Sequence, residues 1–178
     1  MAHATLEKTL NIMQRPRIEK VVVNCSVGES GAKLEKAKKI IESIVGQTAE
    51  VRKARKTIRG FGIHKGEPIA LRVTLRKKAA LEFLTKALAA VGNKIKLSSF
   101  DEHGNVSFGI KEHLEIPGTK YDPELGIIGM DVTAHITNPG YRVRTRSRKR
   151  SKLGRRQRVT REEAVEFMKT LGATVVEE

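Results

Sequence analysis

The chain has 178 residues, 39% of them hydrophobic and only 4% aromatic. That is enough apolar content for one packed, mainly aliphatic core, and it excludes wholesale disorder. A total of 35 Lys and Arg against 20 Asp and Glu gives a net charge of +15, so a polyanionic partner is expected.

Cys25 is the one cysteine, which excludes a disulfide framework and a four-cysteine zinc site. It lies in an apolar run and reads as an inert core thiol. No stretch approaches an apolar span of ~20 residues. The first ten residues, MAHATLEKTL, lack the apolar block of a signal peptide. A soluble protein of a reducing cytoplasm is the expectation.

In residues 4–14, Leu6, Leu10 and Met13 have helical spacing, and Pro16 follows as a stop. Residues 18–27 are β-branched and predict a strand with Val21, Val23 and Cys25 on one side and Lys20 and Asn24 on the other. After the break at 28–31, the stripe Leu34, Ala37, Ile40, Ile41, Ile44 and Val45 predicts a helix, stopped by Gly46. A short strand around 49–51 leads into a basic, glycine-rich stretch. Pro68 opens a strand whose Ile69, Leu71, Val73 and Leu75 alternate with Arg72, Thr74 and Arg76, as in a sheet with one wet face. A helix over 77–91 is predicted to bury Leu81, Leu84 and Leu88, with Gly92 as its stop. Residues 95–100 and 106–110 flank the turn-forming DEHGN and predict a hairpin. Residues 115–126 read as a loop and 126–136 as a last long strand, broken by Asn138, Pro139 and Gly140. From 142 to 161 there are eleven Arg or Lys and no acid. Thr160 and Glu163 then have capping-box spacing, ahead of a short helix carrying Ala164, Phe167, Met168 and Leu171.

This order predicts a single α+β domain with a largely antiparallel sheet and helices on one face. Residues 1–137 form the expected core, with a protruding basic loop at 52–67. Residues 138–178 form an Arg-rich extension ending in the short helix.

Three features suit nucleic acid. The polar sheet face offers Lys20, Asn24, Arg72, Thr74 and Arg76 to phosphates, ribose hydroxyls or base edges, unless it is an ordinary solvated face. The loop sets Arg52, Lys53, Arg55, Lys56, Arg59 and Lys65 around Gly60, Gly62 and Gly66, where a backbone can approach another molecule closely. Phe61 within it either stacks on a base or tucks into the core. The third feature is the run Arg142, Arg144, Arg146, Arg148, Lys149, Arg150, Lys152, Arg155, Arg156 and Arg158. Arg142, Arg144, Arg146 and Arg148 alternate with Val143, Thr145 and Ser147, which suits an extended arm along a phosphate backbone better than an amphipathic helix, and the competing reading is a solvated charge run.

Catalytic readings fit less well. The strand–GESG–helix junction lacks both the Lys-Ser/Thr of a P-loop and the third glycine of a dinucleotide fingerprint. His3, His64, His103, His113 and His135 show no metal-ligand spacing, and Cys25 has no evident base. No enzyme activity, cofactor or metal is expected. A DNA-binding protein explains the charge equally well, yet no helix carries the basic face of a recognition helix.

The segments PRIEKVVVNCSVGESG, GQTAEVRKARKTIRGFGIHKGEPIALRVTLR, FDEHGNVSFGIKEH and GIIGMDV, ordered over residues 16–132, resemble the L-five family of large-subunit ribosomal proteins in its archaeal and eukaryotic form. The segment from Gly140 to Ala164 is similar to the extension of those members. The resemblance implies an α+β fold and binding of 5S rRNA in the central protuberance. It puts 5S contacts on Lys20, Asn24, Gln47, Thr74 and Arg76, with Arg72 on the same face. It implies that the loop residues Arg55, Lys56, Arg59, Gly60, Phe61, Gly62, His64 and Lys65 reach toward peptidyl-site tRNA. It also implies 23S rRNA, neighbouring large-subunit proteins and a small-subunit protein of the S-thirteen family as partners.

Overall fold

The computed structural model describes residues 11–176. Strand β1 (Arg17–Ser26) is followed by helix α1 (Ala32–Val45), strands β2 (Glu50–Lys53) and β3 (Pro68–Leu75), and helix α2 (Lys77–Ala90). Then come β4 (Lys94–Lys96), β5 (Asn105–Ile110), β6 (Met130–Thr137), a single helical turn α3 (Arg142–Thr145), α4 (Arg161–Thr170) and β7 (Thr174–Val176). Five strands form one antiparallel sheet in the order β2-β3-β1-β6-β5. β1 lies at the centre of that order, and its β-branched run Val21–Val23 suits a strand paired on both edges.

The pleat sorts the side chains. Val21, Val23 and Cys25 of β1, Leu71, Val73 and Leu75 of β3, and Val132, Ala134 and Ile136 of β6 all point to one side and are buried there. Against them lie α1 through Leu34, Ala37 and Ile41, and α2 through Ala80, Phe83, Leu84, Ala87 and Leu88. Truncating Leu84 would cost about 2–5 kcal/mol, since no neighbour could fill the hole completely. α1 ends as expected, at Gly46 in the left-handed conformation (φ 70°). The α+β fold with helices on one face is thus as the sequence suggested.

Four expectations need correction. Leu81 is 45% exposed, because the buried stripe of α2 is centred on Ala80, Leu84 and Ala87, with Phe83 at one margin and Leu88 at the other. Leu81 lies roughly 90° from the middle of that stripe, just beyond Leu88 on its solvent side. The hairpin over 95–110 is reduced to an isolated Phe100–Val106 bridge. β4 instead pairs in parallel with β7 in a separate two-stranded sheet, with Ile95 opposite Val175. The segment from 142 is not a fully extended arm, since it opens with the turn α3 and folds back so that the Ser151 amide donates to the Val143 carbonyl. Of the expected N-terminal helix, Leu6 and Leu10 lie outside the described residues, and Ile12–Gln14 is a single 3-10 turn.

The C-terminal segment joins the same core. Val159, Ala164, Met168 and Ala173 are all buried in it. The Thr160 hydroxyl accepts from the Glu163 amide while the Glu163 carboxylate accepts from the Thr160 amide, the reciprocal cap that the spacing suggested.

Candidate nucleic-acid interface

Opposite the helices, the sheet leaves its second face open. The register brings residues distant in sequence side by side: Asn24 lies between Arg72 and Asp131, Val22 between Thr74 and Thr133, and Lys20 opposite His135. β5 extends the rows, with Ser107 opposite Thr133 and Asn105 opposite His135. The face therefore gathers Lys20, Asn24, Arg72 and Thr74 as the alternation suggested, with Arg76 at the end of β3. Gln47 is exposed in the link between α1 and β2, beside the sheet rather than on it.

Sequence reasoning missed much of this face. Asp131, Thr133 and His135 alternate with buried Val132 and Ala134, so the signal was present in β6 but unused. The Ser107 and Thr133 hydroxyls are 3.0 Å apart, and Asn24 Nδ2 donates to Ser26 Oγ at 3.3 Å. Both pairs are weak, exposed bonds that a stronger acceptor can replace. Glu50, also missed, accepts from Arg72 Nη2 and Arg52 Nη1, each at 2.8 Å. Those guanidiniums hold the Glu50 carboxyl below the usual carboxylate range. One carboxylate thus partly neutralises two cations of the face, and Arg76 meets Glu19 at 3.4 Å.

On the helix side, burial pushes the Cys25 thiol up, with the Asp131 carboxylate adding to it, so the thiol stays protonated. His135 is half-buried. Burial, and then the Lys20 charge, lower its pKa below the ordinary histidine value. Its Nδ1 donates to Asn105 Oδ1, and its ring meets Tyr141 edge-on at 5.0 Å.

The basic loop is a folded hairpin. The Ala54 amide donates to the Glu67 carbonyl at 2.8 Å and the Gly66 amide to the Ala54 carbonyl at 2.9 Å. Further out, Ile58 and Ile63 exchange amide-to-carbonyl bonds. The Glu67 carboxylate accepts from the His64 amide and from the Ser30 hydroxyl, which pins the hairpin to the β1–α1 turn and lowers the Glu67 pKa. At the tip, Arg59–Phe61 form a 3-10 turn closed by Gly62 in the left-handed conformation (φ 65°), where a β-carbon would be strained. Phe61 is 77% exposed, which decides against its being tucked into the core. Arg55, Lys56, Arg59, Gly60, Gly62, His64 and Lys65 surround it, all exposed.

The segment 142–158 exposes all ten of its cations, Arg142, Arg144, Arg146, Arg148, Lys149, Arg150, Lys152, Arg155, Arg156 and Arg158. Among the described residues none has a carboxylate within 4.0 Å, because the six ion pairs all lie elsewhere. The segment is tied down near its end, where Gln157 Nε2 donates to the Pro139 and Met13 carbonyls at 2.7 Å. Among the described residues no His/Cys/Asp/Glu cluster could hold a metal ion. No helix there is long and apolar enough to cross a membrane. What the three surfaces offer is cations, amides, hydroxyls and an exposed ring, the groups that bind phosphate, ribose and unstacked bases.

A family model described as Ribosomal protein L5 matches residues 11–64, and the model of that family's C-terminal part matches residues 68–167. Similar proteins named large ribosomal subunit protein uL5 run along nearly the whole chain. That of Pyrobaculum aerophilum is 56% identical over 164 residues, 92% of each chain. That of Sulfolobus acidocaldarius is 52% identical over 171 residues, 96% of each chain. That of Methanosphaera stadtmanae is 48% identical over 160 residues, 90% of this chain and 95% of the other.

Proposed function

The chain belongs to the ribosomal protein L5 family, and from that premise we propose that the open face of its sheet holds 5S rRNA. As a family member it is a structural, non-catalytic constituent of the large subunit of the cytoplasmic ribosome, with rRNA and other ribosomal components as partners. The finer assignment is ours. Lys20, Asn24, Thr74 and Arg76, with Arg72 and the neighbouring Gln47, contact 5S rRNA. The hairpin tip around Phe61 contacts peptidyl-site tRNA. The 142–158 segment lies on rRNA phosphates, including those of 23S rRNA, and the protein bridges to the small-subunit head through a protein of the S-thirteen family.

The observation that carries the 5S assignment is the register. Residues some fifty positions apart meet on one solvent-facing surface, Asn24 beside Arg72 and Val22 beside Thr74, while their neighbours Val23 and Val73 are buried. A face of short polar side chains flanked by cations can follow a groove of helical RNA and reach its 2′-hydroxyls. The double variant Asn24→Ala, Thr74→Ala removes two contacts of about 1 kcal/mol each. It should weaken 5S rRNA binding about thirtyfold in filter binding while leaving the circular dichroism melt in place. Unchanged affinity would refute the sheet-face assignment.

A further inference from the structure

A cleft of about 300 Å³ opens where the end of β6 meets the basic segment, at one margin of the open sheet face. Its lining includes Thr137 and Asn138, each only 4% exposed. Among the described residues three buried side-chain polar atoms lack a hydrogen-bond partner, and two of them are Thr137 Oγ1 and Asn138 Oδ1. Buried polar groups are almost always paired, so two orphans in adjacent residues lining one cleft point to a missing partner. One wall is aromatic, made by His135 and Tyr141, and the Arg144 guanidinium stands 5.9 Å over the Tyr141 ring. Lys20 and Arg158 are at the rim, and no carboxylate lines the cleft.

We propose that this cleft receives a single unstacked nucleotide of 5S rRNA. Its base would lie against Tyr141 with its edge toward Thr137 and Asn138, whose side chains would rotate to bring their buried, unpaired oxygens to it, and its phosphate would meet Lys20, Arg144 and Arg158. The combination of an aromatic wall, buried polar side chains with unpaired oxygens and surrounding cations matches the three parts of a nucleotide. RNA is the source rather than a free nucleotide, because the cleft is continuous with the Lys20–His135–Asn105 row on one side and with the basic segment on the other. The cleft thus adds base recognition to surfaces that otherwise read shape and charge. This inference rests on the reading of the open face as a 5S rRNA site.

The test is a coupling cycle with the full-length protein. 5S rRNA transcripts each carry one abasic residue at a different unpaired position, and each is measured against wild type, Tyr141→Ala and Tyr141→Phe. At one position, loss of the base should weaken binding to wild type roughly tenfold, the range of base–aromatic stacking. The same loss should have no effect on Tyr141→Ala, and Tyr141→Phe should behave as wild type. Should Tyr141→Ala fail to fold, Arg144→Gln, an exposed side chain over the same ring, replaces it in the cycle. Specific 5S binding by wild type with no abasic position coupled to either variant would overturn the proposal. A wild type with no preference for 5S rRNA over unrelated RNA would instead overturn the function on which it rests.

Discussion

If the 142–158 segment lies on phosphate, its contribution should appear as salt dependence rather than as sequence preference. Arg148, Arg150, Lys152, Arg155 and Arg156 suit the test, because their side chains are exposed and none has a hydrogen-bond or ion-pair partner among the described residues. Replacing all five with Gln should therefore leave the melting temperature within a degree or two. Each phosphate contact contributes roughly 0.7–0.9 to the slope of log K against log salt, so five contacts amount to about 3.5–4.5 units. Over a fourfold rise in salt, wild-type affinity should then fall at least about a hundredfold more than that of the variant. The ratio of affinities for 5S rRNA and an unrelated RNA should hardly change, since phosphates carry no sequence information. Fluorescence anisotropy against rRNA fragments at four or five salt concentrations gives both quantities. Parallel slopes would refute the phosphate reading and leave the segment as a solvated charge run.

The exposure of the hairpin tip predicts that Arg59→Ala with Phe61→Ala lowers peptidyl-site tRNA occupancy on reconstituted ribosomes while 5S affinity stays within about twofold, because solvated side chains support neither fold nor sheet face; a matching loss of 5S affinity would put the tip on the wrong RNA. Glu50→Gln should tighten rRNA binding, by about fivefold, since it frees Arg52 and Arg72 from a shared carboxylate and removes a like charge from the phosphate side; weaker binding in an electrophoretic shift would show that Glu50 positions those cations instead. His135 is protonated less readily in the folded protein than in the unfolded chain, because burial and then Lys20 disfavour its charge. The unfolded chain therefore takes up the extra proton as pH falls through ~6.5, and stability should decline from there toward the lower folded pKa. Thermal melts of wild type and His135→Gln between pH 8 and 5.5 test this, and equal pH dependence would refute it.

Where local pattern and final packing agree, the sequence was legible. The alternation in 68–75 holds because β3 has one buried and one open face, and the stripe in 34–45 holds because α1 packs on one side only. α2 misled because its buried side is partly alanine: Ala80 and Ala87 face the core, while the larger Leu81 falls at the solvent edge of the stripe. β4 misled because a three-residue strand carries almost no periodicity, and its true partner lies about eighty residues away. At the candidate site, the cations and amides of β1 and β3 were readable from each strand alone. Glu50 was not, because only the β2–β3 register places it against Arg72. The cleft was not legible either, since it exists only where Lys20, His135 and Tyr141 meet in space.

The tie between β4 and β7, together with buried Val159, changes what the basic segment is as a polymer. It departs from the core at buried Asn138 and returns at Val159, so it is a loop fastened at both ends, with those ends close enough to line one cleft. The entropy of bringing those ends together is lost on folding and not again on meeting RNA, so fewer degrees of freedom remain to be frozen than in a tail of equal charge. Fastening also limits reach. About twenty residues going out and back at roughly 3.4 Å each extend no more than about 35 Å from the core, so the loop can grip only phosphates close to the surface already docked.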